Sequence, residues 1–227
     1  MRISKATYEA SEYACTHFHY SKATPVISDS FNVFNDDDEW CGVIIYGSGA
    51  NMCLADPYDK WQGQVLELVR VALNGKQGHG NTSRALSLTL KQMKKSKPWC
   101  DLIVSYADLD QNHAGTLYQA TNWTYTGLKN EGDISAYIIN GKKTHRKTLY
   151  GKGWKASLLW LKEHIDPNAE EFITKGKHKY IYPMTKAMRA RVDILAKPYP
   201  CGNRSAIGQP SSQMGEGGVT PTLPLQR

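Results

Sequence analysis

The chain has 227 residues, of which 41% are hydrophobic, and it carries a formal net charge of +7. This length predicts one domain with a sizeable core, and without a run of about eighteen apolar residues no membrane span is expected. The amino terminus lacks an apolar signal segment, so we expect a cytoplasmic protein. The odd number of cysteines, with no Cys-x-x-Cys pair, predicts reduced thiols rather than a disulfide framework or zinc ribbon (Cys15, Cys41, Cys53, Cys100 and Cys201).

The amino-terminal part of the chain predicts a helix followed by a β-hairpin. Residues 8–17 have a helical rhythm that ends in the aromatic and histidine cluster 17–20. Residues 30–35 and 40–46 predict two strands, joined by a turn of three aspartates. The glycine-rich segment 47–51 lacks the spacing and the lysine of a P-loop, so we interpret it as an ordinary loop.

A strand, a glycine-rich turn and a helix follow one another between residues 65 and 97. The apolar run Val65–Leu73, interrupted by Glu67 and Arg70, predicts the strand, and residues 75–84 contain three glycines. Apolar residues then recur at helical spacing, with lysines opposite them (Leu86, Leu90 and Met93). Unpaired N–H groups at such a helix start favour an anion, and the alternative is a capped helix after a flexible loop.

Residues 102–123 hold the strongest candidate site. The run Leu102-Ile103-Val104 predicts a strand buried on both faces. Polar residues follow at its carboxyl end, where open α/β sheets bind ligands (Ser105, Tyr106 and Asp108). A short helical pattern with Tyr118 comes next, so a carboxylate and a phenol can flank one reacting centre. The alternative is a capped helix with Tyr118 as an ordinary core residue.

The remaining elements include a strand at 137–140, a basic loop at 142–147 and a helix at 154–164. A last strand at 175–182 leads into a basic helix at 185–195. Residues 1–197 therefore form the predicted domain. Residues 198–227 are rich in Pro, Gly, Ser and Gln, and this composition predicts a disordered tail.

Positive charge is concentrated in residues 141–195, which contain 13 Lys and Arg against 5 Asp and Glu, whereas residues 1–140 contain 12 against 15. Such a block is typical of a surface that contacts phosphates, and the alternative is a solvated face without a partner. Aromatic residues lie between its charges and can stack on bases. The candidate DNA-binding residues are Lys142, Lys143, Arg146, Lys147, Lys175, Lys177 and Lys179.

The ordered residues of the candidate site resemble two related families. Asn112, the small residues 114 and 115, Leu117-Tyr118 and Asn122-Trp123 are similar to the acetyltransferase pattern of the GCN5-related N-acetyltransferase (GNAT) superfamily. Ser105-Tyr106-Ala107-Asp108, followed by His113-x-Gly115-x-x-Tyr118-x-Ala120-x-x-Trp123, resembles the Mom DNA-modification family of Mu-like phages. The resemblance covers roughly residues 13–195. It implies an α/β fold with a central mixed, mainly antiparallel sheet flanked by helices.

The resemblance also implies roles for individual residues. Asp108 would accept a proton from an amine nucleophile, and Tyr118 would protonate the leaving thiolate. His19, which Tyr20 follows, would contact substrate or transfer a proton, and Tyr106 joins the catalytic set. His17 and His19 could share a metal, but no third ligand is visible, so we expect none.

A cofactor follows from the same resemblance. GNAT enzymes bind the pyrophosphate of coenzyme A at the glycine-rich turn, where this chain has Gln77-x-x-Gly80-x-Thr82 and lacks the last small residue of the signature. We therefore expect acetyl-CoA or a related acyl donor. The candidate contacts are Arg70, Gln77, Gly78, Gly80, Asn81, Ser83 and Arg84.

The Mom resemblance implies conversion of adenine in double-stranded phage DNA to carbamoylmethyladenine, which protects the DNA from host restriction. Simple acetyl transfer would leave an amide, whereas this product keeps a methylene on the adenine nitrogen and ends in a carboxamide. An acetyltransferase site alone does not account for that product. Two alternatives are an ordinary GNAT enzyme acting on a small amine or protein, and a non-catalytic DNA-binding protein. The oligomeric state is open, with a homodimer as one option.

Overall fold

A computed structural model describes residues 1–49 and 53–200, which form ten strands and six α-helices. The strands are β1 (Arg2–Lys5), β2 (Asp29–Phe34), β3 (Trp40–Gly47), β4 (Val65–Leu73), β5 (Leu102–Asp108), β6 (Thr124–Lys129), β7 (Ile134–Ile139), β8 (Lys142–His145), β9 (Glu170–Ile173) and β10 (Lys177–Pro183). The helices are α1 (Tyr8–Phe18), α2 (Asn81–Ser96), α3 (Thr116–Ala120), α4 (Arg146–Gly151), α5 (Leu158–His164) and α6 (Lys186–Asp193). None of the described helices has the length and apolar character needed to cross a membrane.

Seven strands form the central sheet in the order β1-β2-β3-β4-β5-β10-β6, and β8-β7-β9 form a second, smaller sheet. Every pair in the central sheet is antiparallel except β4 and β5. Helix α2 packs on one face through the predicted residues Leu86, Leu90 and Met93, all of them buried. Helices α1 and α6 pack on the opposite face. The predicted fold class, a mixed and mainly antiparallel sheet flanked by helices, is confirmed.

The parallel strands β4 and β5 separate after a short contact. They pair only where Val65–Glu67 of β4 lies beside Leu102–Val104 of β5. Strand β4 also shifts register against β3 next to Val69, because Ile45 pairs with Arg70 while Tyr46 pairs with Leu68. A bulge of this kind bends its strand. The carboxyl-terminal halves of β4 and β5 therefore diverge and leave a gap in the sheet.

Several elements differ from the sequence-based predictions. Strands β1, β6 and β9 were not predicted, because they are short and carry no long apolar run. The predicted basic loop at 142–147 is strand β8 and the start of α4, since β8 pairs with the buried strand β7. The predicted helix at 154–164 begins only at Leu158, after the extended residue Ser157.

The segment after α6 returns to the central sheet. The Lys197 N–H donates to the Tyr125 carbonyl oxygen at 2.9 Å, and the Tyr199 hydroxyl donates to the Trp123 carbonyl oxygen at 2.7 Å. The predicted boundary between residues 197 and 198 thus falls inside a segment that contacts the domain. The rest of the predicted tail, residues 201–227 with Cys201, lies outside the described residues, as do residues 50 and 51 of the predicted loop.

Helix α3 is held against the sheet by Tyr180 of β10. The Tyr180 hydroxyl donates to the Ala114 carbonyl oxygen at 2.6 Å and accepts from the Gln119 side chain at 3.1 Å. Gly115 lies under the same ring, with a φ of +79°, and a Cβ atom there would stand 2.3 Å from a Tyr180 ring carbon. Only glycine fits both the backbone conformation and this close approach.

This packing predicts unequal costs for two glycine substitutions. Gly132 has the same φ of +79°, but a Cβ atom there would meet nothing within 4 Å. Gly132→Ala should therefore lower the free energy of unfolding by about 1 kcal/mol through backbone strain alone. Gly115→Ala should cost about 2–4 kcal/mol, because overpacking against Tyr180 adds to the strain. Urea unfolding measures both, and equal costs would contradict the close contact.

Candidate functional site

The gap between β4 and β5 is a cleft of about 980 Å³, bordered by α3 and by the residues that follow α1. The four predicted catalytic residues all line it (His19, Tyr106, Asp108 and Tyr118). Arg70, Glu67 and His113 line the same cleft. The structure thus brings together residues separated by up to 99 positions in the chain.

Ser105 spans the point at which the two strands part. Its hydroxyl donates to the Leu68 carbonyl oxygen at 2.9 Å, and its oxygen lies 2.8 Å from the Tyr118 hydroxyl. Since serine has one proton and a carbonyl only accepts, neutral Tyr118 donates to Ser105 in this arrangement. If Tyr118 loses its proton, Ser105 can rotate its own proton toward the phenolate.

Tyr118 remains protonated at neutral pH, because burial raises its pKa to about 12, although the hydrogen bond that Ser105 can donate to the phenolate lowers it. Its ring packs between Trp123 and Tyr180, with ring centroids 5.2 and 5.0 Å away. Tyr118 is thus both a packing residue and a cleft residue with a retained proton. The packing role considered from sequence and the catalytic role are compatible in this structure.

Asp108 ends β5 with its carboxylate in the cleft. Its Oδ1 accepts from the Asp110 N–H at 3.0 Å, and its Oδ2 lies 3.5 Å from the Lys177 ammonium. Lys177 is its cross-strand neighbour in β10. An ammonium and an amide N–H both stabilise a negatively charged carboxylate, which is the state that accepts a proton.

His19 is held as a neutral imidazole. Burial, followed by the positive charge of Arg70, lowers its pKa to about 4. The Ser21 N–H donates to Nδ1 of His19 at 3.2 Å, so the neutral ring carries its proton on Nε2. In this tautomer the ring offers an N–H donor from Nε2. His17, the other member of the His-x-His pair, instead stacks on Tyr13 with ring centroids 4.0 Å apart.

Two further cleft residues were not recognised from sequence as functional. Glu67 was noted only as a polar interruption in a strand, yet its charge raises the pKa values of Tyr106 and Tyr118, after the larger effect of burial. Burial and the charge of Glu67 together raise the pKa of Tyr106 to about 12. His113 packs edge-on against Tyr20, and Gly115 occupies the cap position of α3. A carboxylate within an apolar strand was the one signal for Glu67.

Arg70 is the only member of the predicted cofactor set among the residues that line the cleft. Its Nη1 donates to the Val69 carbonyl oxygen at 2.6 Å, while its buried Nε has no acceptor among the described residues. The other predicted cofactor residues lie on the β4–α2 turn, outside the cleft lining (Gln77, Gly78, Gly80, Asn81, Ser83 and Arg84). Arg84 is exposed, and its guanidinium lies 3.8 Å from Asp36.

The β4–α2 turn presents backbone donors. Gly80 precedes α2 in a left-handed conformation, and no side chain caps the helix. The Gln77 amide donates to the Thr82 hydroxyl at 3.0 Å, so the threonine that replaces a small residue in the coenzyme A signature holds the turn together. The buried Oε1 of Gln77 has no donor within the described part of the chain.

The predicted DNA-binding residues occupy three environments. Several are exposed (Lys142, Arg146, Lys147 and Lys175). Lys143 and Lys177 lie 3.7 and 3.5 Å from the carboxylates of Asp110 and Asp108. Lys179 is only 9% exposed, so it does not share the exposed position expected of a surface phosphate contact. Of the aromatic residues in this block, Tyr150 is exposed and Tyr180 is core.

Residues 1–49 and 53–200 contain no group of three or more His, Cys, Asp or Glu side chains arranged to hold a metal ion.

Comparison with known proteins identifies a family and a curated relative. The Mom protein family matches residues 1–201. Over 142 residues the chain is 25% identical to a protein named methylcarbamoylase mom from Escherichia phage Mu. The aligned region covers 60% of this chain and 56% of that protein. The chain thus spans a little over half the length of this curated relative.

Solved structures with a similar arrangement of elements include acetyltransferases. A variant of the spermidine N-acetyltransferase SpeG from Vibrio cholerae is 9% identical, with a TM-score of 0.47 over 84% of this chain and 99% of that one. A Bacillus subtilis acetyltransferase in complex with CoA is 10% identical, with a TM-score of 0.42 over 80% and 97% of the two chains.

The partly buried imidazole of His19 predicts a pH-dependent stability. Its pKa is about 4 in the folded protein against 6.5 for an exposed histidine. Between these values the unfolded chain binds a proton that the folded chain does not, so the free energy of unfolding falls as the pH drops from 6.5 to about 4. His19→Gln should flatten this dependence in urea unfolding. His164→Gln, at an exposed position, should leave it unaltered; identical slopes for all three proteins would contradict the burial of His19.

Proposed function

Because this chain belongs to the Mom protein family, we propose that it is a transferase that modifies the exocyclic amine of adenine in DNA. The proposed product is carbamoylmethyladenine, and the proposed purpose is protection of phage DNA from host restriction. The observation that carries the proposal is the cleft between β4 and β5, in which a carboxylate, a protonated phenol and a neutral imidazole meet. The curated relative named methylcarbamoylase mom supports the choice of reaction.

In the proposed reaction the adenine amine attacks an activated carbon of the donor. A nitrogen–carbon bond forms while the bond between that carbon and its leaving group breaks. Asp108 takes the proton that the amine loses, and the Lys177 ammonium lies 3.5 Å from its carboxylate. Tyr118 gives a proton to the leaving group, and Ser105 stabilises the resulting phenolate by turning its hydroxyl toward it.

His19 and Arg70 are proposed to position the reactants. With its proton on Nε2, His19 can donate to a carbonyl or ring nitrogen in the cleft. The unpaired Nε of Arg70 can donate to a negatively charged or carbonyl oxygen. Both are donors in a partly buried site, where such hydrogen bonds are stronger than in water.

The proposed donor is acetyl-CoA or a related acyl compound bound at the β4–α2 turn. No side chain caps the start of α2, so N–H groups of its first turn can donate to a phosphate. A Cβ atom at Gly80 would have no neighbour within 4 Å, so a ligand can approach the backbone closely. The buried Oε1 of Gln77 lacks a donor among the described residues, and a ligand N–H or O–H fits that need. Acyl transfer from a coenzyme A thioester would form an N-acyladenine and release a thiol. The carbamoylmethyl product instead requires a related donor that carries the carboxamide and is attacked at its methylene carbon, with the bond from that methylene to the leaving group breaking.

The proposed DNA contacts are the exposed cations on β8 and α4. Lys142, Arg146 and Lys147 have no carboxylate partner among the described residues, so they are available to phosphates. The exposed ring of Tyr150 lies on the same segment and can stack on a base. The target amine is paired inside the duplex, so the adenine must be flipped into the cleft.

We expect Asp108→Asn and Tyr118→Phe each to reduce modification by about 10²–10⁴-fold, the typical effect of losing one positioned acid or base. Mass spectrometry of nucleosides from plasmid DNA, after expression in a bacterium, measures the product and distinguishes carbamoylmethyladenine from acetyladenine. Asp133→Asn and Tyr8→Phe are matched controls at exposed positions outside the cleft lining. Near wild-type activity in both cleft variants would contradict the site assignment.

Neutralising the exposed cations should weaken the salt dependence of DNA binding. The triple variant Lys142→Gln, Arg146→Gln and Lys147→Gln should flatten the slope of log K against log salt by up to about 3, at roughly 0.9 per lost phosphate contact. Lys143→Gln is the control, because that ammonium already faces Asp110 at 3.7 Å and Phe172 at 3.4 Å. A triple variant with the wild-type slope would show that this face does not bind DNA.

Arg84→Ala should weaken acetyl-CoA binding by about tenfold to a hundredfold in calorimetric titration, the usual range for a charge-assisted hydrogen bond. Lys91→Ala, on the exposed face of the same helix, should have no effect. DNA affinity should be unchanged in both variants. If the wild type releases no heat at millimolar ligand, this donor is excluded, while the DNA-modification proposal stands with a different donor.

A further inference from the structure

A second pocket, of about 410 Å³, lies on the α6 side of the sheet between β6, β10 and the segment after α6. Its lining contains three lysines, Lys129, Lys179 and Lys197. The other lining residues come from residues 57–58, β6, β10 and the segment after α6 (Pro57, Tyr58, Thr126, Ile181, Ile194, Leu195 and Ala196). A water molecule takes up about 30 Å³ in the liquid, so this volume holds a phosphate group and several waters.

Strand register explains why the three ammonium groups meet. Lys179 of β10 pairs with Gly127 of β6, and Lys129 lies two residues further along β6, on the same face. Gly127 has no side chain, so the stem of Lys197 lies over it, and a Cβ atom there would be 3.0 Å from the Lys197 ammonium. Three chain segments thus deliver one lysine each to one pocket.

These lysines lack counter-charges at contact distance. Within the described part of the chain, none of the three ammonium groups forms a hydrogen bond or an ion pair, in contrast to Lys143 and Lys177. Lys179 is only 9% exposed, and its ammonium lies over two aromatic rings, 5.1 Å from the centroid of Tyr58 and 6.0 Å from that of Tyr106. A nearly buried cation without an acceptor is costly unless a ligand supplies one.

The charges and the burial around Lys179 also favour an anion in this pocket. Burial lowers the pKa of Lys179 and neighbouring Lys129 lowers it further, whereas the more weakly acting Glu67 raises it. A bound anion would reverse both unfavourable contributions, because it stabilises every ammonium group around it.

We propose that this pocket binds a phosphate group through Lys129, Lys179 and Lys197. Tyr106 belongs both to the lining of the cleft and to the surroundings of Lys179, so the bound phosphate would lie just behind the wall of the candidate active site. The phosphate could belong to the backbone of a nucleic acid or to a small molecule, and the chemistry of recognition is the same for both. The inference does not depend on the reaction proposed above.

Inorganic phosphate is the first probe. Added at constant ionic strength against chloride, it should raise the melting temperature of the wild type, and lysine side-chain NMR should give its Kd. Lys179→Met and Lys197→Met should each weaken phosphate binding at least about tenfold, since each removes one charged donor. Lys91→Met, an exposed lysine on α2, is the matched control and should bind as the wild type does. The two pocket variants act independently, so a folding defect in one leaves the other informative.

A short DNA duplex is the second probe and identifies the source of the phosphate. If the pocket holds a backbone phosphate, each pocket variant should also flatten the salt slope of duplex binding by about 0.9. If phosphate binding weakens but the slope is unchanged, the phosphate belongs to a small molecule. Phosphate binding that is absent from the wild type, or equal in the wild type and both pocket variants, overturns the proposal whatever the duplex does. Loss of adenine modification in other variants has no bearing on this readout.

Discussion

Backbone pairing between β4 and β5 stops at Glu67 and Val104, and at the next position the Ser105 side chain crosses the gap to the Leu68 carbonyl oxygen at 2.9 Å. This hydrogen bond fixes how far apart the strands stand at the mouth of the cleft. It also holds the Tyr118 hydroxyl at 2.8 Å, so the phenol is placed relative to the strands rather than to its own short helix. The separation of the strands and the position of the candidate acid therefore depend on the same hydroxyl group.

Burial determines the protonation states of two phenols and an imidazole in the candidate site. The phenols of Tyr106 and Tyr118 have their pKa values raised to about 12, and the imidazole of His19 has its pKa lowered to about 4. At neutral pH all three groups are uncharged, each with a proton to donate. Asp108 is placed beside Lys177 and an amide N–H, which favour its anion. The site therefore separates one acceptor of protons from several donors, as proton transfer from an amine to a leaving group requires.

The elements whose structure depends on a local sequence pattern were predicted correctly. The apolar runs of β4 and β5 and the helical spacing of α2 predicted those elements, and the pattern correctly placed Asp108 at the end of β5. The packing that shapes the site could not be predicted, because it joins distant segments. Tyr180 lies 65 residues beyond Gly115 and determines that this position must be glycine. Glu67 was overlooked because the face of a bulged strand cannot be assigned from alternation alone.

The number of charges in the basic segment, residues 141–195, also could not predict which of its side chains are available to DNA. A count of Lys and Arg in residues 141–195 treats every cation as an available phosphate contact. The fold, however, places these cations in different environments. Lys177 and Lys179 are two residues apart and share a face of β10, but one lies beside the Asp108 carboxylate and the other is buried beneath aromatic rings. A cation releases counterions on binding a duplex only where a phosphate can reach it and no carboxylate already pairs with it. The net charge of a segment therefore sets an upper bound on its contacts with DNA, and the fold determines how many of those contacts can form.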